Sequence, residues 1–397
     1  MRRLLIVSHT PHYLNGSDIV GWGPTVREID YLAELFDEVV HVAPLHQETV
    51  PASSLSYQSQ KVRFVSVPSA GGSFTQKLKI LAVAPSYIGT ILREMKKADV
   101  VHVRCPANIS LIAVLLLSFS RKPNLRWTKY AGNWSPKDRE PLSYSVQRWL
   151  LDHNFHKGFV TVNGEWPRQK SHVFPFYNPS LTREELLEAK ALSEKKQLTD
   201  PIQILFVGRL DEEKGVERSL RIVQKLRLNG QHVTLELVGD GARKKEFENL
   251  VNSQNMESFV KFHGWLPRTS LPSLYSRSHI LLLPTSSSEG WPKVLSEAMA
   301  YGAVPLSSDV SSIPQYLNRF GTGRSISPGD LNGYVDAIAW YIDHPSDWKR
   351  ESENGVQASK YFGYDHYLES VQKILNLGNR TFAIEPPLES KSSAFQK

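Results

Sequence analysis

Short apolar runs alternate with amphipathic segments along most of the chain, and this alternation limits the fold more than any other feature. In the first half Leu4–Val7, Val39–Val42, Val62–Val65, Val100–Val103, Leu125–Tyr130 and Phe159–Val162 read as strands. Between the first two, Val26, Ile29, Leu32, Ala33 and Phe36 recur at helical spacing behind Pro24, a residue suited to a first helical turn. The second half is cleaner. Ile202–Val207, Val233–Val238, Phe259–Phe262 and Ile280–Leu283 read as strands, and Val216, Leu220, Val223 and Leu226 mark one face of a helix. Further helices are expected from about Arg243 and over Val294–Ala300. Strand–helix–strand alternation predicts an α/β protein with parallel sheets covered on both faces. At 397 residues, two such domains fit. We expect Rossmann-like domains over 1–180 and 201–360, with a linker and surface helix over 181–200 and an unstructured tail over 381–397. Ligands of paired domains of this kind are expected in the cleft between them.

Composition removes several functions. Lys and Arg total 47 against 40 Asp and Glu, a net charge of +7, and no run reaches five like charges, so no nucleic-acid partner is expected. Cys105 is the single cysteine, which excludes disulfide frameworks and cysteine-based zinc sites. Leu4–Val7 is too short for a signal peptide and Leu111–Leu117 too short for a membrane span, so the expected location is cytoplasmic. The stretch Lys77–Lys97 combines apolar and basic residues. It suits either a peripheral contact with the inner, anionic face of the cell membrane or a domain helix broken near Pro85.

Two segments carry chemistry. Phe206-Val207-Gly208-Arg209-Leu210-Asp211-Glu212-Glu213-Lys214-Gly215 is a strand that turns through acidic residues into a helix. Gly208 permits a sharp exit, and Arg209 and Lys214 flank a helix amino terminus, a setting that suits a diphosphate. Surface cations paired with Asp211 or Glu213 fit the same residues. From Pro284 a serine-rich loop leads through Glu289-Gly290-Trp291-Pro292-Lys293 into a helix holding Glu297 in its second turn, so both carboxylates face one ligand region.

Together with Val238-Gly239-Asp240-Gly241, Phe262-His263-Gly264-Trp265 and Ala298-Met299-Ala300-Tyr301-Gly302, these segments resemble the carboxy-terminal domain of the family 4 (group 1) retaining glycosyltransferases of the GT-B fold. The resemblance implies a nucleotide-sugar donor held by the second domain and a closing helix, 361–377, packed back on the first. It assigns Arg209 and Lys214 to the leaving diphosphate, Glu289 to sugar hydroxyls, Glu297 to the ribose and the backbone near Trp265 and Leu266 to the base. Gly208, Gly290 and Trp291 belong to the same donor site, and Gly21-Trp22-Gly23 would let the first domain's loop approach the phosphates. The chain has no Asp-x-Asp, so fixed cations rather than a metal or other cofactor are expected to stabilise the leaving group. The acceptor is expected to be a glycan or its lipid carrier in cell-surface polysaccharide synthesis. A sugar-nucleotide epimerase and a silent donor-binding subunit share much of this pattern.

The chain departs from the family in places. Where relatives often carry a histidine at the end of a first-domain strand, Val101-His102-Val103-Arg104 puts Arg104, with His102 deeper in the strand. Pro292 and Lys293 replace small or apolar residues. His9 and His12, in the loop after the first strand, and Asn133 beside Trp134 are acceptor candidates with ordinary capping or packing alternatives.

Overall fold

The computed structural model describes residues 2–70, 74–136, 140–287 and 289–376, and side chains within these except 74–79 and 81. The expected tail over 381–397 lies outside the described residues. The chain divides into two compact units.

The first unit runs to Tyr177. Its elements are β1 (Arg3–Val7), β2 (His12–Asn15), β3 (Asp18–Trp22), α1 (Gly23–Leu32), β4 (Glu38–His46), β5 (Ser54–Ser56), β6 (Val62–Pro68), α2 (Phe74–Met95), β7 (Val100–Cys105), α3 (Asn108–Phe119), β8 (Leu125–Tyr130), α4 (Leu142–Asp152), β9 (Phe159–Val162) and β10 (Val173–Pro175). The sheet order is β10-β9-β8-β7-β1-β4-β2-β3-β5, with β6 on β4. Leu4, Leu5, Ile6 and Val7 are all fully buried, which explains a strand apolar at every position rather than at alternate ones. The hairpin β2–β3 and strand β5 add an antiparallel flap that the alternation does not announce. Helix α2 continues through Pro85, so the expected break there does not occur.

The second unit begins at Asn178 and holds α5 (Arg183–Ser193), β11 (Ile202–Val207), α6 (Val216–Leu228), β12 (Val233–Val238), α7 (Lys244–Ser253), β13 (Val260–Gly264), α8 (Leu271–Arg277), β14 (Ile280–Leu283), α9 (Lys293–Ala300), β15 (Val304–Ser308), α10 (Ile313–Phe320), β16 (Arg324–Ile326), α11 (Leu331–Asp343) and α12 (Pro345–Ala358). Its strands are parallel in the order β13-β12-β11-β14-β15-β16. The 181–200 segment is not a linker. Thr182 and Glu185 form a reciprocal cap at the start of α5, Ala189 is fully buried, and the Lys196 ammonium donates to the carbonyls of Tyr275 and Ser278 at 2.8 Å each. These bonds make α5 part of the second unit.

Helix α13 (Tyr364–Asn376) starts in the second unit and from Tyr367 belongs to the first. Tyr367, Val371 and Ile374 are buried, and the Tyr367 hydroxyl donates to Glu28 at 3.1 Å.

Candidate functional site

Strands β13, β12, β11 and β14 are parallel neighbours, so the loops leaving their carboxyl ends share one edge of the second sheet. Those loops carry Trp265, Gly239, Gly208-Arg209 and Glu289. The backbone is tightly crossed here. The Gly239 amide donates to the Gly264 carbonyl at 2.8 Å, and a Cβ on Gly239 (φ +138°) would lie 1.8 Å from the Gly208 carbonyl oxygen. Leu210 is fully buried, whereas the Arg209 side chain is 71% exposed and held only by Asp211 at 3.2 Å. Such a pair exchanges readily for a stronger anion. Gly215, at φ +87°, caps α6 in the left-handed region and turns the chain into that helix directly after Lys214.

Lys214 and Glu289 form an ion pair between the two loops, with Lys214 mostly buried and Glu289 half-exposed. One residue that sequence reading did not single out fixes this geometry. Arg218, in the first turn of α6, donates to the Pro284 carbonyl at 2.6 Å, to the Glu212 and Glu213 carbonyls at 3.3 and 3.2 Å, and to the Ser286 hydroxyl at 3.3 Å. A single guanidinium therefore staples the loop after β11 to the loop after β14. Its spacing four residues beyond Lys214 is the one sequence signal that pointed to it.

Glu297 lies on α9, buried, with one oxygen accepting from Arg268 at 2.6 Å and the other from Tyr275 at 2.9 Å. Arg268 also binds Glu185 at 2.9 and 3.1 Å and the Ser180 carbonyl at 2.5 Å. A carboxylate offers about four acceptor positions, so two remain on Glu297 beyond these bonds. The Trp291 ring does not line the site as a donor contact. It is buried, stacked on Phe362 with centroids 5.1 Å apart, and donates to Ser296 at 3.3 Å. Gly290 is buried, and its carbonyl accepts from Ser312 at 2.6 Å. Trp265 is exposed and Leu266 half-buried just past β13.

The first unit corrects several expectations. His12 is in β2 rather than in a loop, and it is fully buried. It belongs to a ring of hydrogen bonds whose direction follows from one fact, that a carbonyl only accepts. His12 Nδ1 donates to Thr10 O (2.9 Å), so its Nε2 accepts from the Tyr57 hydroxyl (2.7 Å). Tyr57 then accepts from His41 Nδ1 (2.6 Å), His41 Nε2 accepts from Ser8 (2.7 Å), and Ser8 accepts from the Thr10 amide (3.1 Å). These directions are those of two neutral imidazoles, the state that burial favours. Burial, partly offset by the Thr10 bond, lowers His12 to about 4, and burial pushes His41 well below the usual range.

Arg104 is turned toward a carboxylate of its own unit. It is mostly buried and grips Glu28 with two bonds of 2.8 and 3.3 Å, and Lys129, its register partner on β8, reaches the same carboxylate at 2.7 Å. Burial lowers Lys129 to about 8 against the pull of Glu28. His102 is buried and stacked on Trp127 at 3.8 Å. Gly23 cannot offer its amide to a phosphate, because that amide already donates to Ser53 O at 3.0 Å. His9 is exposed beyond β1. Asn133 accepts from the Ser135 amide at 3.0 Å, an Asx turn, and Trp134 packs edge-on to Tyr130. Cys105 is buried, with its thiol pushed up by burial.

The second unit is an all-parallel sheet with a cationic loop and two glutamates on the loop and helix that follow β14, and it has likenesses among known proteins. Residues 188–358, within the second unit, match the family of glycosyl transferases group 1. Two curated relatives are a 41.2 kDa protein in the cps region of Klebsiella pneumoniae and the alpha-D-kanosaminyltransferase of Streptomyces kanamyceticus. The first is 28% identical over 48% of this chain and 52% of its own length, the second 26% identical over 56% and 61%. The chain thus spans about half the length of the curated relatives it matches. Among solved structures, the sucrose-phosphate synthase of Thermosynechococcus elongatus aligns with a TM-score of 0.70 at 17% identity, over 95% of this chain and 99% of that one. HepE of Anabaena in complex with UDP aligns at 0.69 and 14% identity, over 95% and 100%. These likenesses show the GT-B fold. Among the described residues no helix is long and apolar enough to cross a membrane, and no group of three or more His, Cys, Asp or Glu side chains is placed to hold a metal ion.

Proposed function

We propose that the protein is a retaining glycosyltransferase that moves a sugar from a nucleoside-diphosphate sugar to a glycan or lipid-linked acceptor in surface-polysaccharide synthesis. The observation that carries this reading is the Lys214–Glu289 pair, held beside exposed Arg209 at the carboxyl edge of β11 and β14 inside the group 1 domain. The relatives add direction. One lies in a cps region, another is a putative colanic acid biosynthesis glycosyltransferase of Salmonella typhimurium, and HepE was solved with UDP.

On this reading Glu289 exchanges Lys214 for sugar hydroxyls when the donor binds. Lys214 and Arg209 then neutralise the diphosphate, without a metal ion, as the anomeric C–O bond breaks and its electron pair stays on the phosphate. The acceptor hydroxyl attacks the face the diphosphate leaves, and its proton passes to a departing phosphate oxygen. Glu297 keeps two acceptor positions for ribose hydroxyls, and the backbone at Trp265 and Leu266 meets the base. Neither carboxylate acts as the acid or nucleophile of a glycosidase pair.

The test is a screen of UDP-, GDP-, ADP- and CMP-sugars against purified protein with chelator present, following thermal shift and nucleotide release. Stabilisation by one donor, with release that is lost in Glu289→Ala, is the expected result. Turnover unchanged in Glu289→Ala, or release that stops when chelator is added, would overturn the assignment.

A further inference from the structure

Helices α3 and α4 carry outward apolar stripes. On α4, Leu142, Val146 and Trp149 are exposed at i, i+4 and i+7, and on α3, Leu115 and Phe119 at i and i+4, with Phe119 89% exposed. The two helices join β7 to β8 and β8 to β9, consecutive parallel neighbours, so right-handed crossovers place them side by side on one face of the sheet. Buried Arg126 draws their ends together. It donates to the carbonyls of Leu117, Ser120 and Pro123 at 2.7 Å each and of His156 at 3.0 Å. The chain after α3 and the chain entering β9 therefore meet at one corner, where exposed Phe155 packs on Trp149 at 5.1 Å. Exposed apolar stripes of this kind on neighbouring helices mark a contact with something else.

The charges around it indicate what that is. Strands β7, β8, β9 and β10 are neighbours, all parallel, so their amino ends share one edge. Each is entered through exposed cations: Lys96 and Lys97 before β7, Arg121 and Lys122 before β8, Lys157 before β9 and Lys170 before β10. Along these segments the carboxylates are Asp99, which accepts from the Arg3 amide at 2.7 Å, Asp152, 4.0 Å from His153, and exposed Glu165 just past β9. Aromatic and aliphatic side chains ringed by lysine and arginine complement an anionic bilayer, in which rings sit at the headgroup level and cations meet lipid phosphates. A protein partner of ordinary composition supplies no such sheet of negative charge.

We infer that the outward face of α3 and α4, with the basic edge beside it, docks the protein on an anionic lipid bilayer. This surface shares only Lys96 and Lys97 with the Lys77–Lys97 stretch. The inference stands without the proposed transfer activity, although docking here would bring such an enzyme to a lipid-linked acceptor.

The test is co-sedimentation of the full chain with phosphatidylcholine vesicles, with and without about one-third phosphatidylglycerol. The wild type is expected on the anionic vesicles alone, and less so as salt rises. Two variants are compared, Phe119→Ser/Trp149→Ser and Arg121→Glu/Lys122→Glu/Lys157→Glu, each expected to lower partitioning about tenfold or more. Because these side chains are exposed, melting temperature should hold. Donor-induced thermal shift, read on the same samples, reports separately on the proposed activity. Absence of the wild type from anionic vesicles, or variants that sediment like wild type, overturns the inference. A wild-type dimer that Phe119→Ser/Trp149→Ser converts to monomer in light scattering also overturns it, assigning the face to a second copy.

Discussion

Both units gather charged and polar side chains near the carboxyl ends of parallel strands, but they orient them in opposite ways. In the second unit Arg209 points out of the edge, Leu210 turns inward, and Lys214 is paired with a half-exposed carboxylate. In the first, Arg104, Lys129, His12, His41 and His102 are turned into the protein, where they bond the Glu28 carboxylate, the Tyr57 and Ser8 hydroxyls or backbone carbonyls. Weakly held, solvent-facing charge is available for a ligand, whereas buried, saturated charge specifies a structure. The same residue types therefore carry different meanings on the two sheets.

The contrast breaks first, if at all, at Glu28. Replacing it with Ala strands Arg104 and Lys129 as buried cations, and should cost about 3–5 kcal/mol in denaturant unfolding. A loss below about 1 kcal/mol would mean that the cluster is solvated and open to a ligand. Lys214→Ala should do the reverse, lowering kcat by about 10²- to 10³-fold, roughly 3–4 kcal/mol of transition-state stabilisation, while unfolding is nearly unchanged. Equal losses of activity and stability would assign Lys214 to structure instead.

Acid should separate the units as well. His12 titrates near 4 when folded and near 6.5 when free, so the unfolded chain binds more protons between those values. Its contribution is complete above pH 6.5 and is lost as pH falls toward about 4, amounting to about 3 kcal/mol. Urea melts from pH 7 to 4 would show this slope, and it should be shallower in a His12→Gln variant, which keeps the share of the other buried histidines, His41 among them. Tyr57→Phe removes the hydroxyl that links the two imidazoles and should cost about 2 kcal/mol in the same melts. The smallest effect on folding belongs to Arg209→Ala, within about 0.5 kcal/mol, since its side chain is 71% exposed.

The second sheet was largely readable from sequence because parallel strands buried on both faces are continuous apolar runs bounded by glycine and charge. Ile202–Val207 and Ile280–Leu283 matched strands at those same residues. Short strands without such runs escaped, among them Arg324–Ile326 and Val173–Pro175. The placement of Arg209, Lys214 and Glu289 at the sheet's carboxyl edge was legible because it is local, set by one strand end and one helix start. The partners of Glu28 were not. Arg104, Lys129 and Tyr367 come from three distant segments, and no pattern along the chain says that a cation will turn inward. His12 was misplaced for the same reason, since its partners are held on three different strands and loops. Trp291 shows the converse. An aromatic beside Glu-Gly was read as a ligand contact, yet the stacking of Phe362, far along the chain, claims its ring.

Tyr367 closes the Glu28 cluster from 339 residues away. During synthesis Glu28, Arg104 and Lys129 are all made before Asn178 and can pair, but the hydroxyl and the apolar helix that seals them follow only after residues 178–366 of the second unit. The first unit is thus obliged to wait, holding a partly open charged interior, while its neighbour is translated and folds. Trimming the chain before Tyr367 would remove no residue from the Arg209 and Glu289 edge, yet would leave the opposite unit permanently in that unfinished nascent state.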